Sequence, residues 1–386
     1  MTTLVIRGGV VNVDGESMPG DVAVDGSQIS AVGTPAAVHD RQVVDATDCS
    51  VLPGFVDLQV NGAVGVDLTS EPERIGEGAA FLVQCGVTSF MPTVISSSAS
   101  NIARAIAVMG EWSGEGQPVA RSLGLHIEGP FLNPARAGAH PPQHLRPPSL
   151  SETESWRRSA GVAMITIAPE LPGALEVIAQ LVANDVTVCA GHTAADTAAM
   201  NAGVSAGVHG VTHLFNAMGP INARAPGPAG TTLADPALIA GLIVDGIHVD
   251  PTMVRVAWQA LGPNRIALVT DAISALGLPH GSYRVGDTAI VVDDSGARTE
   301  SGVLAGSVLR FDQAVRNLIA YTGCTLGGAS LAASTTSARL AGRSDIGRLA
   351  PGLAADLVVL DEHNHVVVTI VAGRVVFDPQ RRCTRP

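Results

Sequence analysis

The sequence contains no lysine, and all 23 of its basic residues are arginine. This absence excludes chemistry that needs a primary amine: a Schiff base with a carbonyl substrate, the lysine of a phosphate-binding P-loop, and a carboxylated lysine that bridges two metal ions. Any reaction of this protein must therefore use other side chains.

Cysteine is also scarce, and its spacing does not match a metal-binding motif. The five cysteines are odd in number and never form a CxxC pair: Cys49, Cys85, Cys189, Cys324 and Cys383. This pattern argues against a disulfide framework and against a cysteine metal site, and it favours a reducing compartment. We therefore expect a cytoplasmic protein.

Long apolar runs are missing as well, and the chain has no net positive charge. No stretch of about 18 apolar residues is uninterrupted, and the N-terminus lacks the pattern of a secretory signal, so we expect no membrane partner. The net charge of -12 disfavours a nucleic-acid partner, because no basic stripe can replace the counterions around phosphates. A small anionic substrate stays compatible if a few cations line a pocket.

Short strand-like segments are present at both ends of the chain. The 386 residues are 46% apolar, which is enough for one large domain and a smaller one. We predict that residues 1–52 and 346–386 together build a small β-sandwich domain, mainly antiparallel. The strand-like segments are Leu4–Ile6, Val10–Val13, Val22–Val24, Gln28–Val32, Asp356–Leu360, Val366–Val371 and Arg374–Phe377.

Between the ends, eight apolar runs alternate with stretches of helical composition, as repeated βα units require. This repetition predicts a (β/α)₈ barrel, the TIM barrel of the α/β class, over residues 53–345. The eight runs are Phe55–Val60, Ser89–Val94, Ser122–Ile127, Ala163–Ala168, Val186–Ala190, Gly210–Leu214, Ile239–Val244 and Arg265–Thr270.

Polar side chains stand where these runs end, which is the catalytic face of such barrels. Glu128, His192 and His213 come at the ends of the third, fifth and sixth strands, and one carboxylate with two imidazoles is a sufficient ligand set for a catalytic divalent metal ion. Each histidine alone could instead be a hydrogen-bonded core or loop residue. The full set is Gln59, Asn61, Thr93, Glu128, Glu170, His192, His213, His248 and Asp271.

Two further residues suit the chemistry of an amide hydrolase. Asp271, after the eighth run, could accept a proton from an activated water and return it to a leaving amine. His140 could donate a hydrogen bond to a carbonyl oxygen as negative charge develops. The alternatives are an N-cap for Asp271 and a solvated loop position for His140.

These segments resemble the N-acetylglucosamine-6-phosphate deacetylase family of the amidohydrolase superfamily, over nearly the whole chain. The resemblance implies hydrolysis of the acetamide of N-acetylglucosamine 6-phosphate, in amino-sugar catabolism and cell-wall recycling, and a homodimer in which the partner subunit can supply a phosphate-binding residue. The motifs that carry it are Pro53-Gly-Phe-Val-Asp57, His126-Ile-Glu-Gly-Pro-Phe-Leu132, Gly138-Ala-His140, Ala190-Gly-His-Thr193, Thr212-His-Leu-Phe-Asn-Ala-Met218, Val244-Asp-Gly-Ile-His248, Val269-Thr-Asp-Ala272 and Leu304-Ala-Gly-Ser307.

The same resemblance implies roles for individual residues. Glu128, His192 and His213 would bind the metal, Asp271 would be the base and acid, and His140 would polarise the acetamide carbonyl. Arg224 and His248 are the cationic donors that a phosphate needs, although each could also be a solvated or helix-capping residue. The residues implied to bind substrate are Ala139, His140, Asn216, Ala217, Arg224, Asp245, His248, Leu304, Ala305 and Gly306.

One departure from the superfamily concerns the number of metal ions. Many amidohydrolases carry His-x-His at the end of the first strand, whereas this chain has Gln59 and Asn61, whose neutral amides are weak ligands. We therefore expect one divalent ion, with zinc first and iron, cobalt or manganese as alternatives. The competing functions are another deacylase or a cyclic amidase on the same fold, or a scaffold without catalysis.

Overall fold

The computed structural model describes residues 4–36 and 41–384. The chain begins with five strands of one sheet, in which β1 pairs antiparallel with β2, and β2 with β3. On its other edge β1 pairs in parallel with β4 and then with β5, beyond a bulge between Ile6 and Gly9. The five strands are β1 Leu4–Val13, β2 Glu16–Asp25, β3 Gln28–Val32, β4 Gln42–Asp45 and β5 Ser50–Pro53.

The middle of the chain forms a nearly closed barrel of eight parallel strands, which confirms the predicted fold. Each predicted run contributes one strand, and the third run is interrupted at residues 123–124. The barrel strands are β6 Phe55–Val60, β9 Val87–Val94, β11 Leu125–Glu128, β12 Val162–Ile167, β13 Thr187–Ala190, β14 Val208–Val211, β15 Ile239–Leu242 and β16 Ile266–Leu268, with short strands β7 Gly62–Ala63, β8 Val66–Asp67 and β10 Arg121–Ser122 beside them.

Helices pack around the barrel and bury a continuous apolar core against it. They follow every barrel strand except β11, in the order that the repeated βα units predict. The helices are α1 Ile75–Leu82, α2 Ala99–Glu111, α3 Ala174–Ala183, α4 Thr197–Ala206, α5 Gly227–Ala234, α6 Pro251–Leu261, α7 Phe311–Thr322, α8 Leu326–Ser330 and α9 Thr336–Leu340, the last two joined by a π-helical turn at Leu331–Thr335.

The segment between β11 and β12 differs from the expected helical composition. Residues 129–161 contain three single turns of 3₁₀ helix, Pro134–Arg136, Pro142–His144 and Arg158–Ala160, and no α-helix. Six prolines between positions 130 and 148 explain this, because proline removes a backbone donor and restricts the residue before it. The resulting loop lies over the end of the barrel and carries His140.

A second unpredicted feature follows β16. Three antiparallel strands, β17 Gly281–Val285, β18 Thr288–Asp293 and β19 Gly296–Thr299, form a separate small sheet. Its buried side chains make a small core of their own with Ile95 and Ile273, which lie beside the catalytic end of the barrel. The sheet therefore covers part of that end.

The C-terminal strands return to the first sheet, as predicted. They are β20 Leu357–Leu360, β21 Val366–Val371, β22 Arg374–Phe377 and β23 Cys383–Thr384, and β20 pairs antiparallel with β5. Within the described residues the sheet has nine strands around its own apolar core, and its pairings are mainly antiparallel, as expected, with two parallel exceptions at β1–β4 and β1–β5. The domain boundaries at residues 52 and 346 stay predictions.

Within the described ranges, no helix has both the length and the apolar character that a membrane crossing needs.

The barrel closes between β6 and the end of β16 through a few hydrogen bonds. Val60 and Ala272 form one isolated parallel bridge. The backbone N–H groups of Asn61 and Gly62 both donate to the Ala272 carbonyl, at 2.7 and 3.0 Å. These bonds hold the first strand next to the eighth at the end where the polar residues collect.

Asp57 strengthens this closure with its side chain. The fully buried carboxylate accepts hydrogen bonds from the Thr270 hydroxyl at 2.6 Å, from the Thr270 N–H at 3.2 Å and from the Gln59 N–H at 3.3 Å. Burial raises the pKa of Asp57 to about 7, although the hydrogen bonds from Thr270 and Gln59 oppose the increase. Asp57 thus joins strands β6 and β16 in the barrel interior.

We expect Asp57→Ala to lower the free energy of unfolding by roughly 2–5 kcal/mol, because each buried donor left without an acceptor costs about 1–3 kcal/mol. Asp57→Asn is the matched control, since its amide oxygen still accepts from the backbone, and it should cost less. Denaturant unfolding of the metal-free proteins measures both. Equal losses would contradict this account, because asparagine keeps the side-chain volume and one acceptor oxygen for the backbone donors.

The difference in stability between the wild type and Asp57→Asn should also depend on pH. The folded pKa of Asp57 is raised above its ordinary value of 3.8, so its contribution to stability is complete below that value and is lost as the pH rises through about 7. Relative to Asp57→Asn, the wild type should therefore lose stability between about pH 4 and pH 8. A difference that does not change with pH would contradict the assignment.

Candidate active site

A cavity of about 240 Å³ lies at the C-terminal ends of the barrel strands. It gathers all three predicted metal ligands, both predicted catalytic residues, and all but two of the residues implied to bind substrate. The predicted residues that line it are Glu128, Ala139, His140, His192, His213, Asn216, Ala217, His248, Asp271, Leu304, Ala305 and Gly306; Asn61, Ile95, Gly138, Ile273, Val285 and Val303 complete the wall.

Three acceptor atoms converge at the floor of this cavity. Glu128 Oε1 lies 3.2 Å from His192 Nε2 and 2.9 Å from His213 Nε2, and the two Nε2 atoms are 3.1 Å apart. All three side chains are buried. Burial alone would raise the pKa of Glu128, but the neighbouring imidazoles of His140, His192 and His213 hold it well below the ordinary value, so the carboxylate is ionised.

The hydrogen bond on the far side of His192 fixes the state of its ring. His192 Nδ1 lies 2.9 Å from the carbonyl oxygen of Arg136, and a carbonyl can only accept. Nδ1 therefore carries the proton, and Nε2 presents a lone pair to the cavity, as metal-binding histidines do. Arg136 contributes its backbone carbonyl here.

The donor set fits a divalent cation. Ligand atoms about 2.0–2.1 Å from a tetrahedral ion lie roughly 3.3 Å from one another, close to the separations in this cluster. One ionised carboxylate and two imidazoles suit zinc, and several other transition metals as well. The residues present can therefore hold such an ion.

His140 lies close enough to this cluster to be considered as a ligand. Glu128, His140 and His192 can also bring one ligand atom each within 4.8 Å of one another. However, His140 Nδ1 accepts from the Ser96 N–H at 3.2 Å, so the proton of the neutral ring is on Nε2. Burial lowers the pKa of His140 to about 4, which keeps the ring neutral. Nε2 is therefore a donor, 3.7 Å from Glu128 Oε2, and lacks the lone pair that a ligand needs.

The two amides of strand β6 are bound to the acidic residues of the site. Gln59 Nε2 donates to Glu128 Oε1 at 3.1 Å, and Asn61 Nδ2 donates to Asp271 Oδ1 at 2.6 Å. Burial, followed by the charge of Glu128, raises the pKa of Asp271 to about 6. Sequence reasoning found these amides only as weak ligands; the structure gives them the role of orienting two carboxylates.

Several residues of the site have left-handed backbone conformations, which L-residues rarely adopt. The φ angles are +47° at His192, +31° at His213, +50° at Ala217 and +51° at Asp271. The turns point these side chains into the cavity directly after strands β13, β14 and β16. Backbone strain of this kind collects at functional sites.

Asp245 is one of the two predicted substrate residues that do not line the cavity. Its Oδ2 accepts from His248 Nδ1 at 2.6 Å, and its Oδ1 accepts from the backbone N–H groups of Ile247 and His248. Burial opposes ionisation, but the bonds from His248 keep the pKa of Asp245 below its ordinary value. Asp245 orients His248, which is the residue that reaches the cavity.

Arg224 is the second predicted substrate residue that does not line the cavity. Its side chain is exposed on the loop after strand β14, and it lines a separate surface cleft together with Arg136 and Asn222. The loop Ile221-Asn-Ala-Arg-Ala-Pro226 contains an isolated bridge between Asn222 and Ala225, and Arg224 is absent from the lining of the cavity described above. Within one chain, Arg224 therefore does not reach the predicted phosphate site.

The small sheet β17–β19 and the segment that follows it form a wall of the cavity, and no sequence signal revealed the sheet. Val285, at the end of β17, lines the cavity, and the Thr288 hydroxyl donates to the Ala139 carbonyl at 3.2 Å. Asp67, buried at the end of β8, accepts from the Gly286 N–H at 2.6 Å and so ties the sheet to the barrel. Only the segment Leu304–Gly306 was expected here.

Comparison with known proteins agrees with this geometry. The model of the amidohydrolase family matches residues 50–376. A human N-acetylglucosamine-6-phosphate deacetylase is 38% identical over 358 residues, which are 88% of this chain and 87% of that protein. An N-acetylgalactosamine-6-phosphate deacetylase of Escherichia coli O157:H7 is 34% identical over 89% of this chain and 93% of its own length.

The solved structures include a mutant of N-acetylglucosamine-6-phosphate deacetylase from Mycobacterium smegmatis in complex with N-acetylglucosamine 6-phosphate. It superposes with a TM-score of 0.91 at 32% identity, over 98% of this chain and all of that one. This chain belongs to the amidohydrolase family. Within that family it belongs with the N-acetylglucosamine-6-phosphate deacetylases.

We predict that substitutions of two neighbouring histidines, His213 and His140, have different effects on the metal content of this amidohydrolase. His213→Asn should reduce the divalent metal retained after purification to less than about a tenth of the wild-type content, because it removes one of three ligands. His140→Asn should retain the wild-type amount, since His140 Nε2 is a donor. Elemental analysis measures both. Metal loss from the His140 variant with retention in the His213 variant would reverse the assignment.

Proposed function

We propose that this enzyme hydrolyses the acetamide of an N-acetylhexosamine 6-phosphate, with N-acetylglucosamine 6-phosphate as the preferred substrate, to acetate and the amino-sugar phosphate. The observation that carries the proposal is the meeting of a metal-ligand cluster, a carboxylate and a histidine donor in one cavity. The relatives named above act on such substrates, and the chain covers most of their length.

The metal assignment is part of this proposal. Glu128, His192 and His213 would hold one divalent ion, zinc first, with iron, cobalt or manganese as alternatives that the same ligands accept. When bound, the ion would supply Lewis-acid polarisation of the carbonyl and would lower the pKa of a water molecule. Gln59 and Asn61 are already bound to Glu128 and Asp271, which supports a single ion.

The remaining chemistry uses the protein's own side chains. His140 Nε2–H donates to the acetamide oxygen, where negative charge develops as water adds to the carbonyl carbon. The Asp271 carboxylate takes the proton from that water and passes it to the amide nitrogen as the C–N bond breaks. Asn61 holds the carboxylate in place, and the products are acetate and a free amine.

We place the phosphate beside His248, away from the ligand cluster. The Asp245 carboxylate accepts from Nδ1, so Nε2 of the same ring is left to face the substrate, and the protonated ring would be a cationic donor. Asn216 and Ala217 line the same cavity and complete the proposed contacts. Ala139, Leu304, Ala305 and Gly306 would pack against the sugar.

We also propose a homodimer in which Arg224 of the partner subunit reaches this phosphate. Arg224 is exposed and lines a separate cleft, and His248 is the one cationic donor proposed for the phosphate within a single chain. A phosphate usually requires several charge-assisted donors.

A cytoplasmic location and a lack of nucleic-acid and membrane partners stay predictions from composition.

The direct test is acetate release from a panel of substrates by the metal-loaded enzyme. N-acetylglucosamine 6-phosphate should give the highest kcat/KM, and unphosphorylated N-acetylglucosamine should be a poor substrate. The galactosamine and mannosamine epimers test the sugar, and a cyclic amide tests the alternative amidase function. A preference for the cyclic amide, or equal rates with and without phosphate, would reject the proposal.

We predict that Asp271→Asn lowers kcat by a factor on the order of 10² to 10⁴, the range typical of a lost general acid or base, while metal and substrate still bind. Asp271→Asn preserves shape and removes proton transfer. Steady-state kinetics with parallel metal analysis provides the test. Turnover at the wild-type rate would exclude Asp271 as the proton carrier, and loss of the metal would make it a ligand.

We further predict that Arg224→Ala and His248→Asn each lower kcat/KM for the phosphorylated sugar by about 10- to 150-fold, because charge-assisted contacts are worth roughly 1.5–3 kcal/mol. The same variants should change little with the unphosphorylated sugar. Arg348→Ala, at an exposed position in the C-terminal part of the chain, is the control. Equal losses on both sugars would show that these residues support the fold or the metal site.

Subunit mixing decides whether Arg224 acts across the dimer. A heterodimer of Arg224→Ala and Asp271→Asn chains contains one site with an intact Asp271 and an intact Arg224 from the other chain. Co-refolded mixtures should therefore regain up to about a quarter of wild-type activity, the share expected from random pairing with one intact site per heterodimer. Activity no greater than that of the parent variants would place Arg224 in its own subunit's site or outside any site.

A further inference from the structure

We infer that Glu170 is a positioning residue that holds the metal ligand His192 in its strained conformation; this inference rests on the proposed metal site. Glu170 follows strand β12 and does not line the cavity. It acts from behind the site, through the two segments that carry and support His192.

The Glu170 carboxylate binds both of these segments. Oε1 accepts from Asn133 Nδ2 at 2.8 Å and from the Ala194 N–H at 2.7 Å, and Oε2 accepts from the Thr193 hydroxyl. Asn133 belongs to the loop after β11, whereas Thr193 and Ala194 directly follow His192. One carboxylate therefore joins the loop to the strand end that presents the ligand.

The loop returns to His192 and closes a ring of hydrogen bonds. The Asn133 N–H donates to the His192 carbonyl at 3.0 Å, and the Asn133 side chain accepts from the Ala135 N–H at 2.9 Å. The 3₁₀ turn that begins there ends at Arg136, whose carbonyl accepts from His192 Nδ1 at 2.9 Å. Glu170 thus fixes the turn that sets the orientation of the imidazole.

His192 needs this ring of hydrogen bonds because its backbone has an unfavourable conformation. Its φ of +47° lies in the left-handed region, which the surrounding structure must enforce. All three donors to Glu170 are neutral, and no basic side chain of residues 4–36 or 41–384 forms an ion pair with it. Its bonds are thus confined to the two segments around His192, as outer partners of metal ligands usually are.

The test compares Glu170→Ala with Glu170→Gln by measuring the dissociation constant for Zn²⁺ in competition with a chelator. Glu170→Ala should weaken zinc binding by about 10- to 100-fold, the usual effect of removing an outer partner of a ligand. Glu170→Gln should remain within about threefold of wild type, because its oxygen still accepts from Asn133 and Ala194. Glu176→Ala, an exposed carboxylate on α3, is the control and should not change affinity.

A double-mutant cycle with Asn133→Ala separates positioning from general destabilisation. If the ring is one unit, Asn133→Ala should weaken zinc binding by itself and add less than its own effect to Glu170→Ala. Thermal unfolding is recorded in parallel. A lower melting temperature with unchanged zinc affinity in Glu170→Ala would overturn the inference, and should that variant not fold, unchanged affinity in Asn133→Ala would do so.

The outcomes also separate this inference from the proposed function. Normal zinc binding and deacetylation by the wild type, with no effect of Glu170→Ala on affinity, would reject the positioning role alone. A wild-type protein that binds no divalent ion would reject the metal site and this inference together. Full kcat of zinc-saturated Glu170→Ala, combined with weakened affinity, is the expected pattern.

Discussion

The site is organised around three buried acceptor atoms that stand within 3.2 Å of one another: Glu128 Oε1, His192 Nε2 and His213 Nε2. An ionised carboxylate in a buried position is costly unless a cation or a set of donors compensates it. Some compensation is built in, because Gln59 donates to the same oxygen. A divalent ion would satisfy the remaining lone pairs, and this requirement would explain both the residues at the strand ends and the barrel that brings them together.

The two strands that close the barrel, β6 and β16, also position residues of the proposed active site. Asp57 binds Thr270 inside the barrel, and Asn61, four residues after Asp57, binds the carboxylate of Asp271, the residue directly after Thr270. The register that closes the barrel therefore also places the amide beside the proposed proton carrier. Left-handed turns after the strands then direct side chains inward, and hydrogen bonds from neighbouring loops hold those turns in place.

The sequence predicted the barrel because the eight apolar runs and the polar residues after them repeat at regular intervals. It also predicted the ligand cluster, since strand ends of a parallel barrel meet at one face. It did not reveal the sheet β17–β19, whose short strands belong to no repeat, or the helix-free loop before β12. Asp245 and Arg224 do not line the cavity of their own chain, and the sequence could not show this. Motif membership locates a residue in a loop, but hydrogen bonds such as that between Asp245 and His248 decide which side chain faces the cavity.

Crystallography at the absorption edge of the bound metal tests the central claim most directly. An anomalous difference map of the zinc-loaded protein should show one peak per chain, in contact with Glu128, His192 and His213 and separated from the His140 ring. A peak coordinated by His140 in place of His213, or two peaks in one cavity, would contradict the account.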